Sequence, residues 1–358
     1  MKKTVFIAAL AIVAMASCTK NEISQSTRTN EIKFTTPVLA RHTKSAEIEG
    51  TTYPTTASFN VYAWYNSEAA FNSSTASPYM SKVTVSYNPD IHNTEDTGDG
   101  AWISNPVYYW PKQGVLTFDA YSPSDLNGTV TADATDGITV SNHVVATNLA
   151  NQQDFLYADR ALNKTSSTGA TTPEYDGVDI AFNHALAVVK FTAKTKADYS
   201  GTTTVKIKDI KIQSINNKGT FEQKESSSTT PKPTWSAQTG SAEYVALTAD
   251  NFTNSVEITS TSTDISGCST VIVLPQEFVA SSQKLYIEYY LRTDATGSKP
   301  LLQKAVLNFY NSTALADGNK WEMGKRYTYN IVIGLDEIYF APSVTNWVDI
   351  TVDNVNVK

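Results

Sequence analysis

Residues 178–195, VDIAFNHALAVVKFTAKT, lie at the midpoint of the chain and carry its densest run of alternating apolar side chains. Val178, Ile180, Phe182, Leu186 and Val188 fall on even positions with His184 among them, the period of two expected of a strand with one buried face. From Val189 the phase changes, and Val189, Phe191 and Ala193 are apolar on odd positions. A slip of one residue swaps the faces of a strand. Either a bulge intervenes, then, or the strand leaves one core and enters another; a domain junction is the plainer reading. It assigns residues 178–186 to an N-terminal core and 189–193 to a C-terminal one, and divides the folded chain into domains 31–187 and 188–358.

Length and composition agree. At 358 residues the chain exceeds what one hydrophobic core usually organises, and two domains of about 150 residues each are expected. The hydrophobic content is 41%, with 19 Tyr, 13 Phe and 6 Trp, enough to fill sizeable cores. Helical periodicity is scarce, while Ser, Thr, Asn and Asp crowd the intervals between short apolar alternations, which is an all-β profile. Two tandem β-sandwiches are the economical architecture.

The N-terminus reads as an export signal spanning residues 1–17. Lys2 and Lys3 form a positive n-region, residues 5–15 an apolar h-region, and Ala16 and Ser17 the small residues before Cys18. At about 1.5 Å rise per residue, a dozen apolar residues cannot span a hydrocarbon core of about 30 Å. Ala-Ser-Cys resembles the bacterial lipoprotein box, which makes Cys18 the candidate lipidation site; an ordinary cleaved signal with an incidental cysteine is the alternative. Only one other cysteine exists, Cys268, so a lipidated Cys18 leaves it a lone thiol. Cys268 opens the run CSTVIVL at 268–274, which reads as a buried strand and so as an inert core residue rather than a nucleophile. Loss of Lys2 and Lys3 with the signal leaves 26 basic residues against 35 acidic, a formal charge of −9. No basic stripe is present, so nucleic acid is not an expected partner.

Residues 18–30 are polar and aperiodic, the composition of a tether. Residues 31–39, EIKFTTPVL, place Ile32 and Phe34 on one face, and Pro37, without a ladder donor, confines the strand to an edge. Arg41, His42 and Lys44 follow. Strands are expected at 59–65 and 81–87, and in a pair within 107–123 in which Tyr108 and Trp110 face Leu116, Phe118 and Ala120 across a turn at 111–114. Others are expected at 137–145, 203–215, 242–247, 255–259, 268–274, 285–292, 301–310, 327–333 and 348–357.

Motifs with catalytic spacing are missing: there is no nucleotide loop, zinc motif or GxSxG elbow. The acidic stretch 88–100, NPDIHNTEDTGDG, departs from the EF-hand spacing and reads as a solvated loop, with a cation site as the alternative. His184 reads as a structural histidine hydrogen-bonded at the seam between domains rather than a ligand or base. The carboxylates fall mostly in loops and on exposed strand faces, and the aromatics at strand spacing read as core before sugar platform. No catalytic residue, cofactor or metal site is assigned.

In order and spacing, several segments together resemble the fimbrillin family, the type V pilins and related Mfa-like surface lipoproteins of Gram-negative anaerobes. They are the signal ending at Cys18, Trp110 with LTFDAYSP at 116–123, DFLYA at 154–158 and FNHALAVVKF at 182–191. In the second half they are VLPQ at 273–276, WEMGKRYTYNIVI at 321–333 and IYFAPSVTNW at 338–347. The resemblance implies Greek-key, transthyretin-like sandwiches, a palmitate-bearing lipoprotein precursor carried to the outer membrane, and assembly into a fimbrium. In assembling members an arginine-specific protease removes the N-terminal segment with its first strand, and the C-terminal strand of a neighbouring subunit fills the groove that opens.

Carried onto this chain, the excised strand is 31–40 and the cut follows Arg41, with Arg28 as runner-up; Arg41 as a plain solvated loop residue is the alternative. The donor would be 348–358, where Val348, Ile350 and Val352 alternate before Val355 and Val357 resume in the opposite phase. An ordinary last strand of the C-terminal sandwich fits that pattern as well. The leading expectation is thus a structural, non-enzymatic subunit of a surface fimbria, partnered by other subunits in a homo- or hetero-polymer and by the outer membrane through Cys18. The alternative is a non-polymerising surface lipoprotein adhesin that binds a host glycan or protein.

Overall fold

The computed structural model describes residues 30–39, 53–90, 100–166, 177–223, 233–310, 319–335 and 338–346. Among them the secondary structure is β throughout, apart from one 3-10 turn at Leu149–Asn151. A nine-stranded sheet runs in the order Lys33–Phe34, Ala101–Asn105, Ser77–Asn88, Ser58–Asn66, Val115–Ser122, Leu156–Ala158, Ala181–His184, Val38–Leu39, with Ala161–Lys164 also pairing on Val115–Ser122. Its two outermost members, Lys33–Phe34 and Val38–Leu39, belong to one short stretch of chain. The N-terminal segment therefore covers both edges of the sheet, which would otherwise present unpaired backbone groups.

At the centre of this sheet, Ser58–Asn66 and Val115–Ser122 are buried on both faces. Phe59, Val61 and Ala63 point into one hydrophobic cluster with Leu116, Phe118 and Ala120; Tyr62, Trp64 and Tyr121 point into a second. All eight residues of Val115–Ser122 are buried, including Asp119, because a layer packs on each side. Asp119 is held by Arg160, with Nε to Oδ1 at 2.9 Å and Nη2 to Oδ2 at 3.0 Å, and accepts a hydrogen bond from Trp64 Nε1 at 2.8 Å. A carboxylate can be buried here because both of its oxygens are satisfied.

In the second half two five-stranded sheets face the same large cluster. One has Ala187–Thr195 paired in parallel with Lys325–Ile333, which pairs in turn with Ile338–Asn346. The other is built on Thr203–Ile215, flanked by Ala242–Leu247 and Lys284–Thr293, with Leu301–Asn308 at its edge. Along Thr203–Ile215, Val205 and Ile207 are buried on odd positions and Ile210 and Ile212 on even ones. A register shift between Ile207 and Asp209 accounts for the change.

Three expectations require correction. The change of core along 178–195 falls at the bend of residues 185–186, not at 188/189. Val178, Ile180 and Phe182 join the first cluster, while Ala185, Leu186 and Val188 already belong to the second together with Val189, Phe191 and Ala193. The physical reason is that Ala187–Thr195 is an interior strand with both faces covered near its start, so Val188 and Val189 are both buried. Second, residues 107–110 do not form a hairpin with 115–122: Tyr109 bridges to Glu31, and the neighbour of this stretch is the N-terminal segment. Third, the strand expected from Cys268 begins at Val271, and Cys268 is half-buried in the preceding loop with burial pushing its thiol up to about 12.

A further sheet crosses the division drawn at 187/188. It runs Thr234–Thr239, Lys218–Glu222, Gly137–Val144, Thr129–Asp133, so strands from both halves pair directly, with Phe221 opposite Val140. Gln152 adds a two-way link between the halves, donating to Ile272 O at 2.9 Å and accepting from Ile272 N at 2.9 Å. Trp235 Nε1 donates to Ala185 O at 2.6 Å, and His184 meets Asp154 at 2.9 Å through Nδ1, both side chains buried. His184 thus occupies a hydrogen-bonded position just before the bend at which the cores change.

Candidate functional site

The candidate site is the groove in which residues 31–39 lie. Ile32 and Phe34 are buried, Thr36 is exposed, Pro37 is buried, Val38 is 50% exposed and Leu39 is buried. The buried apolar positions, 32, 34, 37 and 39, are spaced two, three and two apart, with Lys33 buried between the first two, so the apolar pattern carries one phase change, between the pairing with the first edge and the pairing with the other. That shift lets a single extended segment serve both edges.

One lip of the groove is the stretch ending at Trp110. Ile32 N donates to Tyr108 O at 2.8 Å and Trp110 N donates to Asn30 O at 2.8 Å, while Lys33 pairs with Ile103 and Phe34 with Trp102. The other lip is the stretch from Gly177 to His184. Val178 N donates to Lys33 O at 2.8 Å, Thr35 N to Val178 O at 3.1 Å, and Val38 N to Ile180 O at 3.1 Å. Val38 and Leu39 then run parallel to Ala181 and Phe182. Tyr53 closes the end of the groove, its N–H donating to Pro37 O at 3.0 Å and its hydroxyl bonded to Ser122 Oγ at 2.6 Å and Ser58 O at 2.8 Å. Burial raises the Tyr53 phenol well above its ordinary range, so it stays a neutral hydrogen-bonding group.

The floor is aromatic. Phe34 meets Phe59 and Phe118 edge-on at centroid distances of 5.8 and 5.9 Å, and Tyr53, Trp102 and Phe182 continue the layer around Phe59. Ile32, Phe34 and Leu39 each remove apolar area worth about 1.5–3 kcal/mol of transfer free energy, and the ladder bonds add about 0.5–1.5 kcal/mol apiece. Gly177 brings the second lip close: a Cβ there would lie 2.4 Å from the carbonyl carbon of Phe34.

The site residues expected from sequence are only partly brought into this geometry. Residues 31–39 of the expected excised strand form the occupant of the groove. Cys18, Arg28, Arg41, Lys44 and the donor segment 348–358 lie outside the described residues, as do residues 91–99 of the acidic loop. Sequence reasoning missed Gly177, Tyr53 and the stretch 107–110 as groove walls. Gly177 sits at the end of a Ser/Thr/Gly-rich stretch in which it is one small residue among several, and nothing local marks it as the point of contact.

A model of the fimbrillin-like family matches residues 50–347. The chain belongs to that family. Its match takes in both lips and the floor of the groove and stops short of the segment in it. Among solved structures, this fimbrillin-like chain is similar to a fimbrial protein from Bacteroides vulgatus, at 17% identity and a TM-score of 0.63, covering 89% of this chain and 100% of that one. It is also similar to the tip fimbrial protein Mfa3 from Porphyromonas gingivalis with a C-terminal truncation, at 13% identity and a TM-score of 0.35, covering 81% of this chain and 94% of that one. At these identities the first likeness speaks to the β-sandwich fold. Among curated proteins no sequence matches. Family membership supports a fimbrial or adhesive protein of the cell surface that associates with other subunits, and a structural rather than catalytic role.

Proposed function

We propose that the protein is a fimbrial subunit that assembles by strand exchange. It is exported as a precursor, lipidated on Cys18 and carried to the outer membrane; cleavage after Arg41 releases residues 31–40, and the opened groove accepts a strand from a neighbouring subunit. The observation that carries this reading is the N-terminal segment, which lies between two edges of one sheet and is held by backbone bonds and a few buried side chains. Its release uncovers both edges and the aromatic floor together, and a donated strand restores ladder bonds and alternating side chains at once. Because donor and groove are different surfaces, the contact does not close on itself and propagates as a filament.

Electron microscopy of the purified chain before and after limited cleavage by an arginine-specific protease tests this. Filaments are expected only after cleavage, and the Arg41→Ala chain is expected to stay monomeric under the same treatment. Filaments from the uncleaved chain, or normal filaments from protease-treated Arg41→Ala, would overturn the assignment of Arg41 as the processing site; monomers after clean loss of residues 31–40 would overturn strand exchange.

A further inference from the structure

Away from the groove, an open pocket of about 770 Å³ lies between the sheet that joins the two halves and the short pairing of Gln276–Glu277 with Lys320–Trp321. It shares no residue with the groove, and its volume is that of a ligand site rather than a packing defect. One wall is Thr234–Thr239, the end strand of the joining sheet; the other holds Pro275, Glu277, Trp321 and Met323.

The wall strand brings one aromatic surface and one idle hydroxyl. Trp235 packs against His143, Phe155 and Phe221 at centroid distances of 5.6, 6.0 and 5.6 Å, and its Nε1 is spent on Ala185 O at 2.6 Å. The indole is thus fixed in place with no donor left, yet it is only half-buried, and its remaining surface lines the pocket. Such a surface stacks on the apolar face of a ring without hydrogen-bonding to it. Beside it, Thr234 Oγ1 is shut off from water and has no partner among the described residues. A hydroxyl held this way costs free energy that a bonded ligand recovers. Asn216, also in the lining, is bonded through its backbone alone: its N donates to Gln276 Oε1 at 3.0 Å and its O accepts from Gln276 Nε2 at 2.9 Å. The Asn216 side-chain amide is left to offer both donors and an acceptor.

The charges of the lining cancel. Glu277 and Glu322 stand against Lys320 and Lys325, with Lys320 Nζ 2.7 Å from Glu322 Oε1. Neither an anion nor a cation gains from a balanced set. Idle groups of both senses suit hydroxyls, each of which donates and accepts. An added peptide strand fits less well. Ala237 has a φ of 49°, the pairing of this strand with Lys218–Glu222 slips between Lys218 and Thr220, and Gln238 Nε2 ties its edge across to Pro275 O at 2.6 Å.

We propose that this pocket binds an uncharged oligosaccharide, one sugar ring lying on Trp235 with its hydroxyls bonded to Thr234 Oγ1 and the Asn216 amide. The site is independent of strand exchange and works in the uncleaved chain as in the cleaved one.

Fluorine NMR of the full, uncleaved chain labelled with fluorotryptophan reads the site directly, since the resonance missing from Trp235→Phe belongs to the pocket. The probes are neutral malto-, cello-, manno-, xylo- and lacto-series oligosaccharides, sialylated and sulfated lacto-series counterparts, and a library of extended peptides. At least one neutral series is expected to shift the Trp235 resonance and to receive saturation transfer on the C–H protons of one ring. Thr234→Val, which keeps the shape of the side chain, and Asn216→Ala are each expected to weaken that binding several-fold, and Trp235→Ala about tenfold. No shift from any neutral series, a preference for the sialylated or sulfated forms, or a shift from peptides alone would each overturn the proposal. So would binding of a neutral series that Thr234→Val and Asn216→Ala both leave unchanged, which would place the sugar elsewhere.

Discussion

The backbone of Phe34 lies directly against Gly177: a Cβ on the glycine would stand 2.4 Å from the Phe34 carbonyl carbon, 2.6 Å from its Cα and 2.7 Å from its nitrogen. All three are backbone atoms, so no side-chain rotation relieves the overlap. Gly177→Ala is expected to push the N-terminal segment off this lip, lengthening the bonds between Lys33, Thr35 and Val178 and costing about 1–3 kcal/mol, the usual range for overpacking. Accelerated cleavage of the folded chain at Lys33 by a lysine-specific protease would report it; a cleavage rate equal to that of the parent would contradict the contact.

Phe34 fills the groove above Phe59 and Phe118. Phe34→Ala removes the largest side chain of the segment and is expected to cost about 3–5 kcal/mol in the intact chain. The same substitution should leave the chain unaltered once residues 31–40 have been cut away, since the residue leaves with them. Denaturant unfolding of the intact and the cleaved proteins separates the two cases.

Asp119 and Arg160 share a buried ion pair that Trp64 Nε1 completes. Arg160→Met leaves the carboxylate buried beside a single indole donor, with an expected loss of about 3–5 kcal/mol. Adding Asp119→Asn removes the stranded charge and keeps an acceptor for Trp64, so the double variant is expected to be more stable than Arg160→Met alone. A double variant less stable than the single one would show that the pair acts otherwise.

His143 is buried between the rings of Phe155 and Trp235, its Nδ1 3.2 Å from Asn127 O and its Nε2 without a partner among the described residues. Burial lowers its pKa from 6.5 to about 4, so the folded chain holds it neutral while the unfolded chain protonates it near its ordinary value. The unfolded state thus binds more protons between these two values, and stability falls as pH drops from about 6.5 towards about 4, by up to about 3 kcal/mol from this group. Above pH 6.5 its contribution is fully present. In His143→Phe, unfolding free energies measured at pH 7.5 and pH 4.5 should differ less than in the parent, and an unchanged difference would assign the pH dependence to other groups.

Much of the strand content was legible from period alone. Phe59, Val61 and Ala63 alternate within a strand the structure extends to Ser58–Asn66, and the lysine-bearing alternation of residues 203–215 is the strand Thr203–Ile215. Those segments are legible because side chains on a strand divide between two faces whatever the strand pairs with. Pairing was less so. Residues 107–110 looked like the partner of 115–122 because they are adjacent in sequence, but their edge is taken by Glu31 and Ile32. The sheet joining Gly137–Val144 to Lys218–Glu222 was not foreseen either, since alternation says which face is buried but not against what.

For residues 178–195 the sequence by itself determined that the apolar phase changes once, and offered a change of core somewhere within the run as the plainer of two readings, the other being a bulge. Only the tertiary structure decided where: the bend at residues 185–186 precedes the point at which alternation visibly fails, since interior pairing buries Val188 and Val189 alike. Likewise, the apolar pattern of residues 31–39 was readable as an edge strand. That it covers two edges at once, 143 residues from the lip at Val178, depended on long-range backbone pairing and on the missing side chain of Gly177.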